Sequence, residues 1–111
     1  MLIERKENLD EALDMIELAV EKSPQSGYII DSLAWGLYQL GRYEEAITPM
    51  GQAISLEPED PIVNDHFGDL LWKVGRKREA YFQWKRVLLF QPSEELRMDV
   101  EKKLKQGLED F

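Results

Sequence analysis

A chain of 111 residues without cysteine holds one domain's worth of core and offers neither disulfides nor thiolate chemistry. Its composition, 43% hydrophobic and 32% charged, is that of a folded protein rather than a disordered tail. The formal charge of -8 argues against nucleic acid or an anionic membrane surface as partner, and no apolar run approaches the roughly 20 residues of a membrane span.

The opening "MLIERKENLD" lacks the apolar run of a secretory signal, so the chain as it stands is expected to be soluble and cytoplasmic by default. A cell-envelope location is the expectation if it is a piece of a longer exported protein. Charge is unevenly spread. Residues 1–60 carry 13 acidic and 4 basic side chains, whereas residues 61–111 carry 9 and 10.

In "ENLDEALDMIELAVEKSP" the apolar set Ala12, Leu13, Ile16, Ala19 and Val20 advances by threes and fours until Pro24, which predicts a helix over 4–24. Ile30, Leu33, Ala34, Leu37 and Leu40 repeat that spacing over 28–40, and Tyr43, Ala46, Ile47, Met50, Ala53 and Ile54 over 43–56. Gly41 falls between the two, where a left-handed residue ends a helix without steric cost. Phe67, Gly68, Leu71 and Val74, then Gly75, then Ala80, Tyr81, Trp84, Val87 and Leu88 predict a second hairpin of the same kind. Pro58 and Pro92 are expected to end the second helix of each hairpin and to hold Glu57 and Gln91 extended in the links.

The last stretch, 94–110, differs. Leu96, Val100, Leu104 and Leu108 form one stripe, while Glu101, Lys102, Lys103, Lys105 and Gln106 cover the rest. It reads as a capping helix, apolar toward the stack and polar toward water, with Ser93 as its cap and Glu94 and Glu95 in its first turn.

One interval governs all of this. A shift of 34 carries Gly41 onto Gly75, Arg42 onto Arg76, Ala46 onto Ala80 and Pro58 onto Pro92; it also carries Ala12, Ala19 and Pro24 onto Ala46, Ala53 and Pro58. A constant period of this size signals stacked units, none of which can bury its apolar face alone. Ala34 and Gly68 are expected to face Ala46 and Ala80 and let the paired helices approach closely. The units are the second helix of an incomplete repeat (4–24), full repeats at 27–60 and 61–94, and the capping helix at 94–110.

With Leu33-Ala34 and Phe67-Gly68 in the first helices, glycines at the turns, Ala46 of "EEAI", Ala53 and Pro58, the chain resembles the tetratricopeptide repeat family over nearly its whole length. It departs from the pattern by apolar exchanges at Ile30, Leu37, Leu71 and Val87 and by Asn64. "DSLAWGLYQLGRYEEA" is also similar to terminal repeats of longer bacterial members. The resemblance implies an all-α, right-handed α-solenoid of antiparallel helix pairs. It also implies a non-enzymatic scaffold that recruits another protein along the concave side.

On that side the resemblance puts Tyr28, Asp31, Trp35 and Tyr38 from one unit and Ile62, Asp65, Asp69 and Trp72 from the next. Aromatics supply contact area at low entropic cost, and carboxylates select a basic partner. A protein or peptide that is neutral or basic with apolar anchors is expected. Members that grip the acidic tails of heat-shock chaperones offer lysine, arginine and asparagine where Asp31, Trp35, Asp65 and Asp69 stand here, so an anionic tail would be repelled. Packing of Trp35, Tyr38 and Trp72 between units is the plainer use of the same residues. The competing role is a structural block that caps or assembles a longer chain.

The N-terminal helix has no first-helix partner. Its apolar residues, covered on one side only, predict that the chain continues into a longer protein or forms a homodimer through this seam.

Other chemistry finds little support. His66 is the one histidine, and it points about 100° from the face shared by Asp65 and Asp69, a poor metal geometry. It reads as a solvent-facing or inter-helix residue. No serine is placed for a catalytic triad, and Gly36, Gly41 and Gly51 read as packing or turn residues rather than a phosphate loop. Neither metal nor cofactor is expected. The cluster Arg76, Lys77, Arg78, Lys85 and Arg86 reads as a solvated face, with Trp84 on the packed stripe.

Overall fold

The structure, a computed structural model, describes the backbone of residues 2–108 and the side chains of residues 11–108. Six helices follow one another: α1 (Leu2–Lys22), α2 (Gly27–Gln39), α3 (Tyr43–Leu56), α4 (Pro61–Lys73), α5 (Lys77–Leu89) and α6 (Glu94–Gln106). Among the described residues there is no strand. Each helix packs on the next, α2 with α3 and α4 with α5 most extensively, and α4 also touches α2. The result is an all-α solenoid of antiparallel pairs with α6 closing one end.

Local signals set the boundaries. Ser26, Asp60 and Ser93 cap α2, α4 and α6, each accepting a hydrogen bond from a backbone N–H of the first turn. The helices α3 and α5 have no such cap. There the residue after each turn glycine, Arg42 or Arg76, pairs with the glutamate three residues on, Glu45 or Glu79. Gly41 and Gly75 have φ of 78° and 88°, the left-handed conformation that the turn requires.

The core is continuous along the stack. Ala34, Ala46, Met50 and Leu70 join α2, α3 and α4, whereas Leu71, Ala80, Trp84, Val87 and Val100 join α4, α5 and α6. Ala34 and Ala46 are fully buried, as close helix approach demands. Opposite Gly68 stands the indole of Trp84, which fills the space that a side chain would need: a Cβ there would lie 2.4 Å from Nε1. Asn64 is fully buried and ties the link before α4, its amide donating to the Pro58 and Asp60 carbonyls while its oxygen accepts from Arg86.

Three local expectations need correction. Gln91 has a φ of 53°, so it is left-handed rather than extended before Pro92. Helix α6 stops at Gln106, where Gly107 turns the backbone to a φ of 69°; the end of the expected 94–110 stretch lies outside the described residues. Lys103, assigned by its charge to the watery side of α6, is buried, and Lys102, which the 34-residue register places where Gly68 packs, is exposed. Position 102 would face a further second helix, and among the described residues none follows α6.

Candidate functional site

The first helices of the units, α2 and α4, and the capping helix α6 follow one another side by side, and the 34-residue register turns their outward residues into rows that cross all three. Tyr28, Ile62 and Leu96 make one row, Asp31, Asp65 and Asp99 the next, then Trp35, Asp69 and Lys103, then Tyr38, Trp72 and Gln106. Neighbours along a row come from adjacent helices. Opposite charges in or next to one row can therefore meet.

They do so at two places. The His66 Nδ1 lies 3.0 Å from each carboxylate oxygen of Asp31, joining α4 to α2. Lys103 Nζ donates to Asp65 Oδ1 at 2.9 Å and to Asp69 Oδ1 at 3.0 Å, with Asp99 Oδ2 at 3.2 Å. Asp31, Asp65 and Asp69 are buried in these pairs. The carboxylates expected to meet a basic partner already have cationic or imidazole neighbours from the chain itself.

Lys103 is one cation among three carboxylates. Burial, then the charge of Asp65, push the Asp69 carboxyl up from its ordinary range to about 6, against the pull of Lys103 and the Trp84 N–H. Asp65 is pushed up as well, chiefly by burial. Burial alone would lower the Lys103 ammonium, but Asp69 and Asp65 outweigh it and hold it above the ordinary lysine value.

A pH dependence follows. Because the Asp69 pKa is raised on folding, the folded chain binds more protons than the unfolded one between about pH 4 and 6. Its contribution to stability is then complete below the unfolded value and is lost as pH rises through about 6. Chemical denaturation of the native chain and of Asp69→Asn across pH 4–7 should show the native chain losing up to about 3 kcal/mol relative to the variant as pH rises. A difference that is flat or opposite in slope removes the raised pKa.

Three aromatic members of the rows, Trp35, Tyr38 and Trp72, are half-buried. Trp35 stacks between His66, at 3.9 Å between centroids, and Tyr38, at 4.4 Å. Trp72 meets Tyr81 edge-on, carries Lys77 Nζ 4.7 Å from its centroid, and is so close to Gly107 that a Cβ there would lie 2.2 Å from its ring. These rings pack between units while keeping one part exposed.

The exposed large hydrophobic members of the face are at one rim. Tyr28 is 57% and Ile62 54% exposed. Beside Ile62 lies a shallow pocket of about 600 Å3 lined by Ile62, Ser93, Glu95, Leu96 and Asp99. Asp60, then Glu57, hold the Tyr28 phenol above its ordinary pKa, which marks the rim around it as acidic. Glu95, Leu96 and Asp99 were not singled out from the sequence as binding residues; carrying the register one step further, from Ile62 to Leu96 and from Asp65 to Asp99, would have found the last two. Among the described residues, no group of three or more histidine, aspartate or glutamate side chains is arranged to hold a metal ion, and no helix is long and apolar enough to cross a membrane.

No protein-family model matches the chain, and no curated protein matches it. Solved structures do. The TPR domain of P58(IPK) superposes with a TM-score of 0.82 at 26% identity, covering 90% of this chain and 28% of that one. MamA from AMB-1 gives a TM-score of 0.69 at 25% identity, over 76% of this chain and 49% of that one. The first TPR of Spaghetti (RPAP3), solved bound to the HSP90 peptide SRMEEVD, gives a TM-score of 0.80 at 19% identity, over 96% and 84%. This chain thus spans well under two thirds of P58(IPK) and of MamA. The 34-residue period, the glycine-turned helix pairs and the neighbours of the same architecture make the chain a tetratricopeptide-repeat array in fold.

Proposed function

We propose that the chain is a protein-interaction scaffold whose binding edge is the rim of the α2–α4–α6 face, and that it takes a basic segment bearing apolar anchors. The observation that carries this reading is the row Tyr28, Ile62 and Leu96, large apolar side chains partly or largely open to solvent, set among Asp60, Glu95 and Asp99. An apolar side chain entering beside Ile62 loses water contact at about 25 cal/mol per Å2, and an adjacent Lys or Arg reaches the carboxylates. The half-buried Trp35, Tyr38 and Trp72, with Asp31, Asp65 and Asp69 beneath, form the rigid floor. An acidic tail such as the one held by RPAP3 would meet repulsion at this rim. The neighbours are TPR domains, and a scaffold requires no catalytic group.

Selection of a random peptide display library on the folded chain tests the reading. Recovered peptides are expected to combine Lys or Arg with apolar residues, and Ile62→Asp and Asp99→Lys each to weaken them about ten-fold or more. Recovery of acidic peptides, or binding indifferent to both changes, overturns it. A second reading, an assembly block, is favoured by Met15 and Leu18, which α1 leaves exposed together on the side away from α2. That seam would take a preceding unit of a longer array or the N-terminal helix of a second copy.

A further inference from the structure

The backs of the second helices carry a graded pattern. In α5 the residues opposite the buried Ala80, Trp84 and Val87 are Arg78, Phe82, Lys85 and Leu89, all exposed. Phe82 is 59% and Leu89 73% exposed, and the Arg86 guanidinium lies 6.0 Å from the Phe82 ring centroid. The stretch 73–90 holds six basic side chains and one acidic, on a chain of net charge -8.

Shifted back by 34, the ridge becomes Glu44, Thr48, Gly51 and Ser55 on α3, mostly small or neutral. Shifted by 68, its last three positions become Asp14, Glu17 and Glu21 on α1, all acidic and all exposed. Equivalent positions thus run from acidic through small to basic and apolar across one face.

We infer that this back face is an interface between two copies of the chain. A two-fold axis running along the helices lays α5 of each copy over the α1–α3 side of the other, parallel to α1, with the small α3 residues near the axis. An axis running across the helices would set acid on acid and base on base, so charge selects the first arrangement. The contact is isologous and closes at two copies.

Shape agrees with charge. Between α1 and α3 runs a furrow with two hollows, one of about 540 Å3 over Val20, Ile30 and Leu56, the other of about 330 Å3 over Leu13, Leu33 and Leu37. Val20 and Leu13 are seven residues apart on α1, as Leu89 and Phe82 are on α5, roughly 10 Å in each case. In the parallel register, Phe82 enters the hollow at Leu13 and Leu89 the one at Val20. Lys85, between the two anchors, then faces Glu17, between the two hollows. This interface uses the outward acidic side of α1, not the Met15 and Leu18 seam, and it leaves the Tyr28–Ile62–Leu96 rim free.

Sedimentation equilibrium on the full chain, with folding checked by circular dichroism, tests the proposal. The native chain should dimerise as its concentration approaches about 1 mM and less so as salt is raised. Lys85→Glu and Glu17→Lys should each weaken the dimer about ten-fold, since each reversal acts twice in a symmetric contact. Mixed in equal amounts, the two variants should associate as a heterodimer about as tightly as the native chain, because every reversed charge then meets its opposite. A native chain that stays monomeric at 1 mM overturns the proposal. So does a dimer that ignores both reversals but is lost in Met15→Lys, which would put the contact on the other side of α1. Monomers that bind vesicles of phosphatidylserine through Lys85 and Leu89 would assign the ridge to a lipid surface and also overturn it.

Discussion

Replacing Lys103 by methionine should destabilise the folded chain at pH 7 by about 3–5 kcal/mol, the range for a buried ion pair stripped of one partner. Methionine nearly preserves the length and apolar stem of the side chain, so the loss is that of the ammonium. Without it, Asp65 and Asp69 remain buried, close together and without the cation that both contact. Their answer is to take up protons. The deficit should therefore shrink as pH is lowered from 7 toward 4, where neutral carboxyls satisfy the site without a cation. Lys102→Met is the control, since Lys102 is exposed one position away and its loss should stay within about 0.5 kcal/mol. Urea denaturation of the two variants measures both quantities. A midpoint drop on the order of 10–20 °C for Lys103→Met should accompany it on heating. Hydrogen exchange adds the location: amides of α6 should lose protection before those of α2 and α3. Equal stability of the two lysine variants would mean that the ion pairs of Lys103 with Asp65 and Asp69 contribute nothing and that α6 is held by Leu96, Val100 and Leu104 alone.

The buried Lys103 cluster also marks the limit of what the sequence discloses. The period of 34 fixes the helix pairs because three features recur together: a small residue inside each hairpin, a left-handed glycine at its turn and a proline after it. Trp84 could be assigned to the packed side from the spacing of Ala80 and Val87 alone, and there the structure buries it. Lys103 could not be assigned in that way. Within its own helix it lies among Glu101, Lys102 and Lys105, a context that reads as a solvated face, and its partners are 34 and 38 residues away. Helical periodicity describes one helix; burial of a charge is decided by the neighbour. The signal was nonetheless present in the register, since Asp69 shifted by 34 is Lys103 and adjacent first helices bring such equivalents side by side. The His66–Asp31 pair was hidden for the same reason, being offset by 35.

Trp84→Ala is expected to be the other change of comparable size, about 3–5 kcal/mol, because the indole has no exposure and little around it can collapse into the space. It touches the rings of Trp72 and Tyr81, both at 5.7 Å between centroids, and its Nε1 donates to Asp69 Oδ1 at 3.0 Å. The more informative experiment pairs it with Gly68. A methyl added at Gly68 would sit 2.4 Å from Nε1 and 2.5 Å from Cδ1 of the same indole, atoms of a rigid ring that cannot swing aside as the end of a flexible chain would. Gly68→Ala must therefore move the whole indole, lengthening its hydrogen bond to Asp69 and opening the Tyr81 contact, at about 1–3 kcal/mol. With leucine at position 84 the obstacle is gone, and alanine at 68 should cost far less, even gaining the helix propensity that glycine lacks. A double-mutant cycle over Gly68→Ala and Trp84→Leu should accordingly show a coupling of at least about 1 kcal/mol in the compensating direction. Additive losses would mean that the glycine is required by the backbone of α4 and not by the ring. In that case close approach in the second hairpin would be set by Ala80, as the periodic pattern by itself suggests, and Trp84 would be a filler of the gap, not the residue that dictates it.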